Sequence, residues 1–209
     1  MAERGRPRNF DRAAALQQAM NIFWQRGYEG ASLCDLTAAM GINAPSLYAA
    51  FGCKEALFRE AVQLYSEREG LLTARALTEQ PTARQAVEAL LRDNVGAFTD
   101  PKKPAGCMIV LAATNCSTAN QAISDHLLER RRFITAALRR RLQRAIKEGD
   151  LPRVDVTAIA NYYTTLLQGL SIQARDGASR AALNRIVDCG MATWNTLIET
   201  AKTASLIKA

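Results

Sequence analysis

Few residues in this chain of 209 could carry a reaction. The single histidine, His126, lies in a helical stretch, and no GxSxG, HExxH or phosphate-cradling glycine loop is present. Five cysteines at irregular spacing, without a CxxC pair, give neither a zinc module nor a disulfide framework. Nucleophilic cysteine chemistry needs a paired base, which the sequence does not place. These observations predict a protein that is not an enzyme and that carries no cofactor and no metal.

What remains is hydrogen-bond donors on short helices. The stretch "INAPSLYAAF", Ile42 to Phe51, opens a helix with Pro45 in its first turn, where a missing N–H costs nothing. Leu47 and Phe51, four apart, can anchor an inner face. Ala44, Pro45, Ser46, Tyr48 and Ala49 then point outward, where an ordinary surface helix would carry lysine and glutamate.

The elements that must position this helix are legible on either side of it. A first helix is predicted over Asp11 to Arg26, stopped by Gly27 in a left-handed cap. In "SLCD", Ser32 caps the next helix and Asp35 completes a capping box. Gly41 ends it, Ile42 and Asn43 form the bend, and Asn43 or Ala44 caps the following helix. Two short helices joined by a bend and packed on a longer one make a helix-turn-helix candidate. An ordinary helical corner is the competing reading.

Apolar residues recur every three or four positions nearly throughout, so the chain is expected to be all-α. A helix from Lys54 to about Gly70 carries Leu57, Phe58, Val62 and Tyr65 on one face. Thr82 caps another that reaches Phe98, and "TDPKKPAG" punctuates the chain. A short apolar helix over Cys107 to about Cys116 follows, then long ones over about Ala119 to Lys147, Asp155 to Arg175 and Ser179 to Thr203. With 48% hydrophobic and 22% charged residues the chain should fold. No apolar run is long enough for a membrane span and no apolar signal core follows the basic start, so the expected location is the cytoplasm.

From Phe10 to Phe58 the sequence resembles the TetR (tetracycline-repressor) family of bacterial transcriptional regulators. "SLCDLTAAMGI", "PSLYAAF" and "KEALF" stand in order and without gaps. The resemblance implies an N-terminal three-helix helix-turn-helix unit followed by a helical ligand-binding and dimerisation domain. It also implies a double-stranded DNA operator as partner, a homodimer, and an unidentified small-molecule effector that releases a repressor from its operator. The domains so expected are residues 1–9 as a flexible basic arm, 10–53 as the DNA-binding unit, 54–70 as a connecting helix and 71–209 as the effector and dimer domain. By the same resemblance Ser32, Tyr48 and Lys54 hold DNA phosphates, which sets register without reading sequence. Reading then falls to Ala44, Pro45, Ser46 and Ala49, whose small side chains admit the helix backbone to the major groove. Arg4, Arg6 and Arg8 in "RGRPR" fit an arm for a narrow A·T minor groove, with a solubilising tail as the alternative. Two positions depart from the family pattern: Cys53 is a poor helix cap, and Ala49 stands where an aromatic residue is frequent.

The later helices are compatible with the family's dimer. Expected interface residues are Leu166, Leu170, Ala174, Ile186, Gly190, Trp194 and Leu197; packing within a monomer is the alternative. Expected cavity residues are Phe98, Met108, Leu111, Asn115, Arg131, Ile134, Tyr163 and Leu167, against a reading of the same stripe as plain core. The net charge of +7 concentrates on the helix holding Arg130 to Lys147, most of it read as a solvated face. Arg131, in line with Leu127, Ile134 and Leu138, is the exception, expected to meet a carboxylate or an anionic effector. A cysteine-based redox sensor on the same scaffold is a second functional class; Cys107 and Cys116, about 13 Å apart along one straight helix, are too far for a disulfide. A helical enzyme is the weaker alternative.

Overall fold

The computed structural model describes residues 10–114 and 116–207. Among them all regular structure is helical: eleven α-helices and one short 3-10 turn, with no strand. In chain order these are α1 (Arg12–Gly30), α2 (Leu33–Met40), α3 (Ala44–Phe51), α4 (Lys54–Arg68), α5 (Gly70–Glu79), α6 (Ala83–Phe98), α7 (Met108–Leu111), α8 (Gln121–Glu148), α9 (Val156–Arg175), α10 (Arg180–Ala192) and α11 (Trp194–Ile207).

Helix α1 starts where the Asp11 carboxylate accepts from the Ala13 and Ala14 amides. Gly27 does adopt the left-handed region at φ 74°, but the helix resumes for another turn, so the expected stop is a kink. The kink frees the Tyr28 amide to donate to the Ala112 carbonyl at 2.7 Å. Phe23, Tyr28 and Phe58 then pack ring to ring between α1 and α4, with Trp24 against Tyr65 beside them. Leu36 from α2 and Leu47 from α3 close the same core with no exposed surface.

Three elements differ from expectation, each for a local reason. The stretch after α4 forms a further helix, α5: Glu69 sits at right-handed helical angles between the two, and Gly70, a weak helix former, opens the second. The helix expected over Cys107 to Cys116 is a single turn, α7, since the carbonyls around it bond to other elements. The last helix divides at Thr193, whose hydroxyl donates to the Gly190 carbonyl at 2.7 Å and competes with the helical ladder.

Residues 105–112 form the junction of the molecule. The Trp24 indole N–H donates to the Gly106 carbonyl, the Cys107 amide to Ser171 Oγ, and Arg131 to the Ile109 carbonyl, at 3.1, 2.8 and 3.0 Å. Arg175, in the last turn of α9, donates to the carbonyls of Ala105, Gln25 and Trp24. Helices α1, α8 and α9 are therefore bonded to one short segment. Gly106 sits at φ +77°, and a Cβ there would lie 2.7 Å from the Ser171 carbonyl oxygen and 2.6 Å from Leu111 Cδ1. Gly106→Ala is accordingly expected to lower stability by at least about 2 kcal/mol, from left-handed strain plus overlap with backbone. Urea unfolding measures it; an unchanged midpoint would contradict the junction's geometry.

Candidate nucleic-acid interface

The expected reading unit assembles from its caps upward. Ser32 Oγ accepts from the Asp35 amide at 3.0 Å, and the Asp35 carboxylate accepts in return from the Ser32 amide and hydroxyl. Arg26 reaches the other Asp35 oxygen at 2.6 Å. The Ser32 hydroxyl and amide, and then Arg26, hold the Asp35 carboxyl below the usual range. Gly41, in the left-handed region, turns the chain, and the Asn43 side chain caps α3 by accepting from the Ser46 amide at 2.9 Å.

On α3 the division of faces is as expected. Leu47 and Phe51 are buried, while Ala44, Pro45, Tyr48 and Ala49 are exposed and Ser46 is half-buried. Tyr48 is 46% exposed, unusual for so large a ring, and its hydroxyl is open to a partner. Cys53 caps α4 after all, through a long contact of 3.4 Å from the Ala56 amide to its sulfur. The Lys54 ammonium lies 4.6 Å from the centre of the Tyr28 ring; burial lowers its pKa, and Glu29 partly offsets that. Arg4, Arg6 and Arg8 lie outside the described residues.

A clamp that the sequence did not announce fixes the far end of α3. The Arg12 guanidinium stands 4.4 Å over the Phe51 ring and donates to the Ala50 carbonyl. It also binds both Glu60 oxygens at 2.7 Å, joining α1, α3 and α4. Partners 48 residues apart on separate helices leave no periodic signal, so only the fold reveals the pair.

The larger half of the chain holds a cavity of about 580 Å³ between α4, α5, α6, α8 and α9. Of the residues expected there, Phe98, Arg131, Ile134 and Leu167 line it. Three do not. Met108 is packed in the core, Leu111 faces a small cleft beside Gly27 and Tyr28, and Tyr163 turns toward α10. The Tyr163 hydroxyl donates to the Gly190 carbonyl at 3.1 Å, and burial pushes its pKa up to about 12. Asn115 lies outside the described residues. Missed linings include Leu77 on α5, a helix the sequence did not separate, and Arg141, read as solvated but only 3% exposed.

Several residues expected at a dimer face are covered by their own protomer. Leu170, Ala174, Gly190 and Trp194 are buried, Gly190 so closely that a Cβ would meet Leu166 Cδ2 at 2.4 Å. Leu170 and Ala174 lie on α9, which packs against α6, α7, α8, α10 and α11, while Gly190 and Trp194 belong to α10 and α11, which pack back on it. Leu166 and Leu197 are half-buried, and Ile186 is exposed together with Tyr162 and Ile172.

The family model for bacterial regulatory proteins of the tetR type matches residues 15–61, and a tetracyclin repressor-like C-terminal domain model matches residues 82–189. The chain belongs to the TetR family. It is thus a helix-turn-helix, DNA-binding transcriptional regulator. The HTH-type transcriptional repressor ComR of Escherichia coli (strain K12) is 37% identical over 201 residues, 94% of either chain. A cysteine-substituted form of the TetR family transcriptional regulator CifR, solved with 26 bp double-strand operator DNA, is 46% identical. It superposes with a TM-score of 0.88 over 90% of this chain and 98% of its own. A TetR transcriptional regulator from Rhodococcus sp. RHA1 is 38% identical, with a TM-score of 0.59 over 88% of this chain and 99% of its own.

As a TetR-family chain it offers poor ground for a thiol switch. All five cysteines are free, and Cys107 and Cys116 do not share a helix, because α7 ends at Leu111. Burial pushes the Cys107 thiol up, and the Tyr65 hydroxyl donates to its sulfur at 3.3 Å. The redox alternative is therefore not favoured.

The reading unit is also tied to the 3-10 turn, Thr118–Asn120, that leads into α8. Glu29 Oε1 accepts from the Ser117 amide and hydroxyl and from the Asn120 amide nitrogen, and these bonds hold its pKa at about 2. A carboxylate whose folded pKa is depressed stabilises above its unfolded pKa, and that contribution is lost as pH falls through the folded value. Glu29→Gln should therefore melt below the parent at neutral pH, with the gap closing as pH drops from about 4 toward 2. Thermal melts across that range measure it, and a gap independent of pH would contradict the assignment.

Proposed function

We propose that two copies of this chain act together as a repressor that holds operator DNA with paired α3 helices and lets go when a small molecule fills the cavity. The observation that carries this reading is α3 itself. A helix with small or neutral residues and no charge on its outward face, set by the turn at Gly41 at one end and the Arg12 clamp at the other, fits the floor of a major groove.

In this reading the Ser32 hydroxyl, the Tyr48 hydroxyl and the Lys54 ammonium hold phosphates. Ala44, Pro45, Ser46 and Ala49 face the base edges, with Ser46 the side chain able to hydrogen-bond there. Arg4, Arg6 and Arg8 reach the flanking minor groove. Ser32 must turn its proton from Asp35 to the phosphate, a short rotation. The operator complex of CifR and the repressor name of ComR support the assignment. Two copies are needed because one unit binds duplex weakly and half-sites lie about one helical turn apart. The partner surface falls on α9 and α10, where Tyr162, Ile172 and Ile186 are exposed. The units are residues 10–53 for DNA, 54–70 as connector and 71–209 for effector and partner. The chain works in the cytoplasm, where operator DNA is, and catalyses nothing.

Release follows from the junction. An effector that prefers a different placement of Arg131 or α8 shifts α7, and with it the α1 bonds to Gly106 and Ala112. It shifts the equilibrium only by its differential affinity for the two states.

Operator sites selected from random duplex DNA would test the reading. Lys54→Met should flatten the slope of log affinity against log salt by about 0.9 per protomer, one phosphate contact each. Tyr48→Phe should weaken binding about fivefold per protomer at an unchanged slope, because a neutral donor releases no counterion. Full affinity in both variants would remove α3 and α4 from the interface.

A further inference from the structure

The cavity wall carries cations that the protein does not neutralise. Five arginines, Arg130, Arg131, Arg140, Arg141 and Arg144, line it against a single carboxylate, Glu69, which is already paired with Lys103 at 2.7 Å. Arg144 pairs with Glu148, Arg130 donates to Gln63 and Arg140 lies over the Phe133 ring, so these three are engaged at the rim. The two deeper ones make no ion pair, although Asp150 and Glu148 attract Arg141 from outside the cavity wall. Arg131 is half-buried and donates to one neutral carbonyl, that of Ile109. Arg141 is 3% exposed, donates only to the carbonyls of Gln80 and Pro81, and keeps two buried nitrogens, Nε and Nη1, with no partner.

A guanidinium withdrawn from water with its donors unmet is costly, and a wall of one sign in an apolar hollow concentrates the field inside it. Between the two arginines, which are about 15 Å apart along α8, the lining is apolar: Leu77, Phe98, Ile134, Ala137 and Leu167. Among the rim arginines the mouth also carries two large apolar side chains. Leu71 and Phe133, 58% and 64% exposed, both line the cavity, so an oily body meets matching surface on the way in.

We infer that the effector is an amphipathic anion, an apolar body ending in a carboxylate-class group, with Arg131 receiving the charge and Arg141 extending the same positive wall. This deepens the proposed function and rests on it for the word effector. The binding preference itself does not depend on DNA. Arg131 is the informative contact, because a carboxylate offers it two charged acceptors in place of the one Ile109 carbonyl. Drawing the guanidinium off that carbonyl loosens the α8 bond to the junction that also holds α1.

Calorimetric titration of the full chain with hexanoate, decanoate and tetradecanoate, each beside its primary alcohol, tests this. At least one carboxylate should bind tenfold or more tighter than the matching alcohol. Arg131→Gln should erase that preference while leaving the alcohol's affinity in place, and Arg141→Gln should reduce it. Arg132→Gln, on the exposed side of the same helix, should leave it intact. Melting curves show which variants fold, and Arg141→Gln carries the test if Arg131→Gln does not. Equal binding of acid and alcohol, no binding by any acid of the series, or a preference that survives both substitutions overturns the inference. Operator release is read separately: an acid that binds with the stated preference but leaves the protein on DNA overturns release by that ligand and leaves the charge assignment standing.

Discussion

Hydrogen bonds from α1, α8 and α9 converge on a stretch of eight residues, 105–112, and the rest of the molecule depends on them. An irregular segment buried among helices must place its N–H and C=O groups somewhere, since each one left unmet costs about 1–3 kcal/mol. Here they are placed on three different helices. That requirement explains the single turn of α7, the kink at Gly27 that frees the Tyr28 amide, and the glycine at 106 where backbone meets backbone. One segment with few alternatives for its bonds makes a stiff link between the reading unit and the cavity.

The reading unit places charge between its helices and keeps it off the outward face of α3. Arg12, Glu60, Arg26 and Asp35 hold helices to one another around α2 and α3, and the outward face of α3 stays small and neutral. The half-exposed pairs contribute little individually. Their value is geometric, because a helix that must lie in a groove about 12 Å wide cannot wander. The cavity half inverts the pattern, with apolar walls and cations turned inward.

Local chemistry was legible in the sequence. The capping box at Ser32, the Thr82 cap, the bend at Gly41 and the inner pair Leu47 and Phe51 each need only three or four neighbouring residues to define them and stand as read, and of the two caps open for α3, Asn43 or Ala44, it is Asn43. Long-range pairings were not. Trp24 finds its acceptor 82 residues away and Arg175 finds one 151 away, distances at which periodicity carries no information. The same limit explains the site residues that moved. Tyr163, Leu170, Ala174 and Trp194 have apolar periodicity suited equally to a cavity, a partner or the protomer's own core, and all four are buried within the protomer, where α9 packs against α6, α7, α8, α10 and α11. Arg141 looked like one cation in a solvated row. Its burial depends on the turn at Gln80 and Pro81, an element from another part of the chain.

The junction makes the reading unit and the cavity one mechanical body, which amide hydrogen exchange on Arg175→Met would reveal. Losing three donated bonds at once should speed exchange in residues 24–28 and 105–112 together, while α5 and α6 keep their protection. Faster exchange confined to the end of α9, with residues 24–28 unchanged, would contradict the claim.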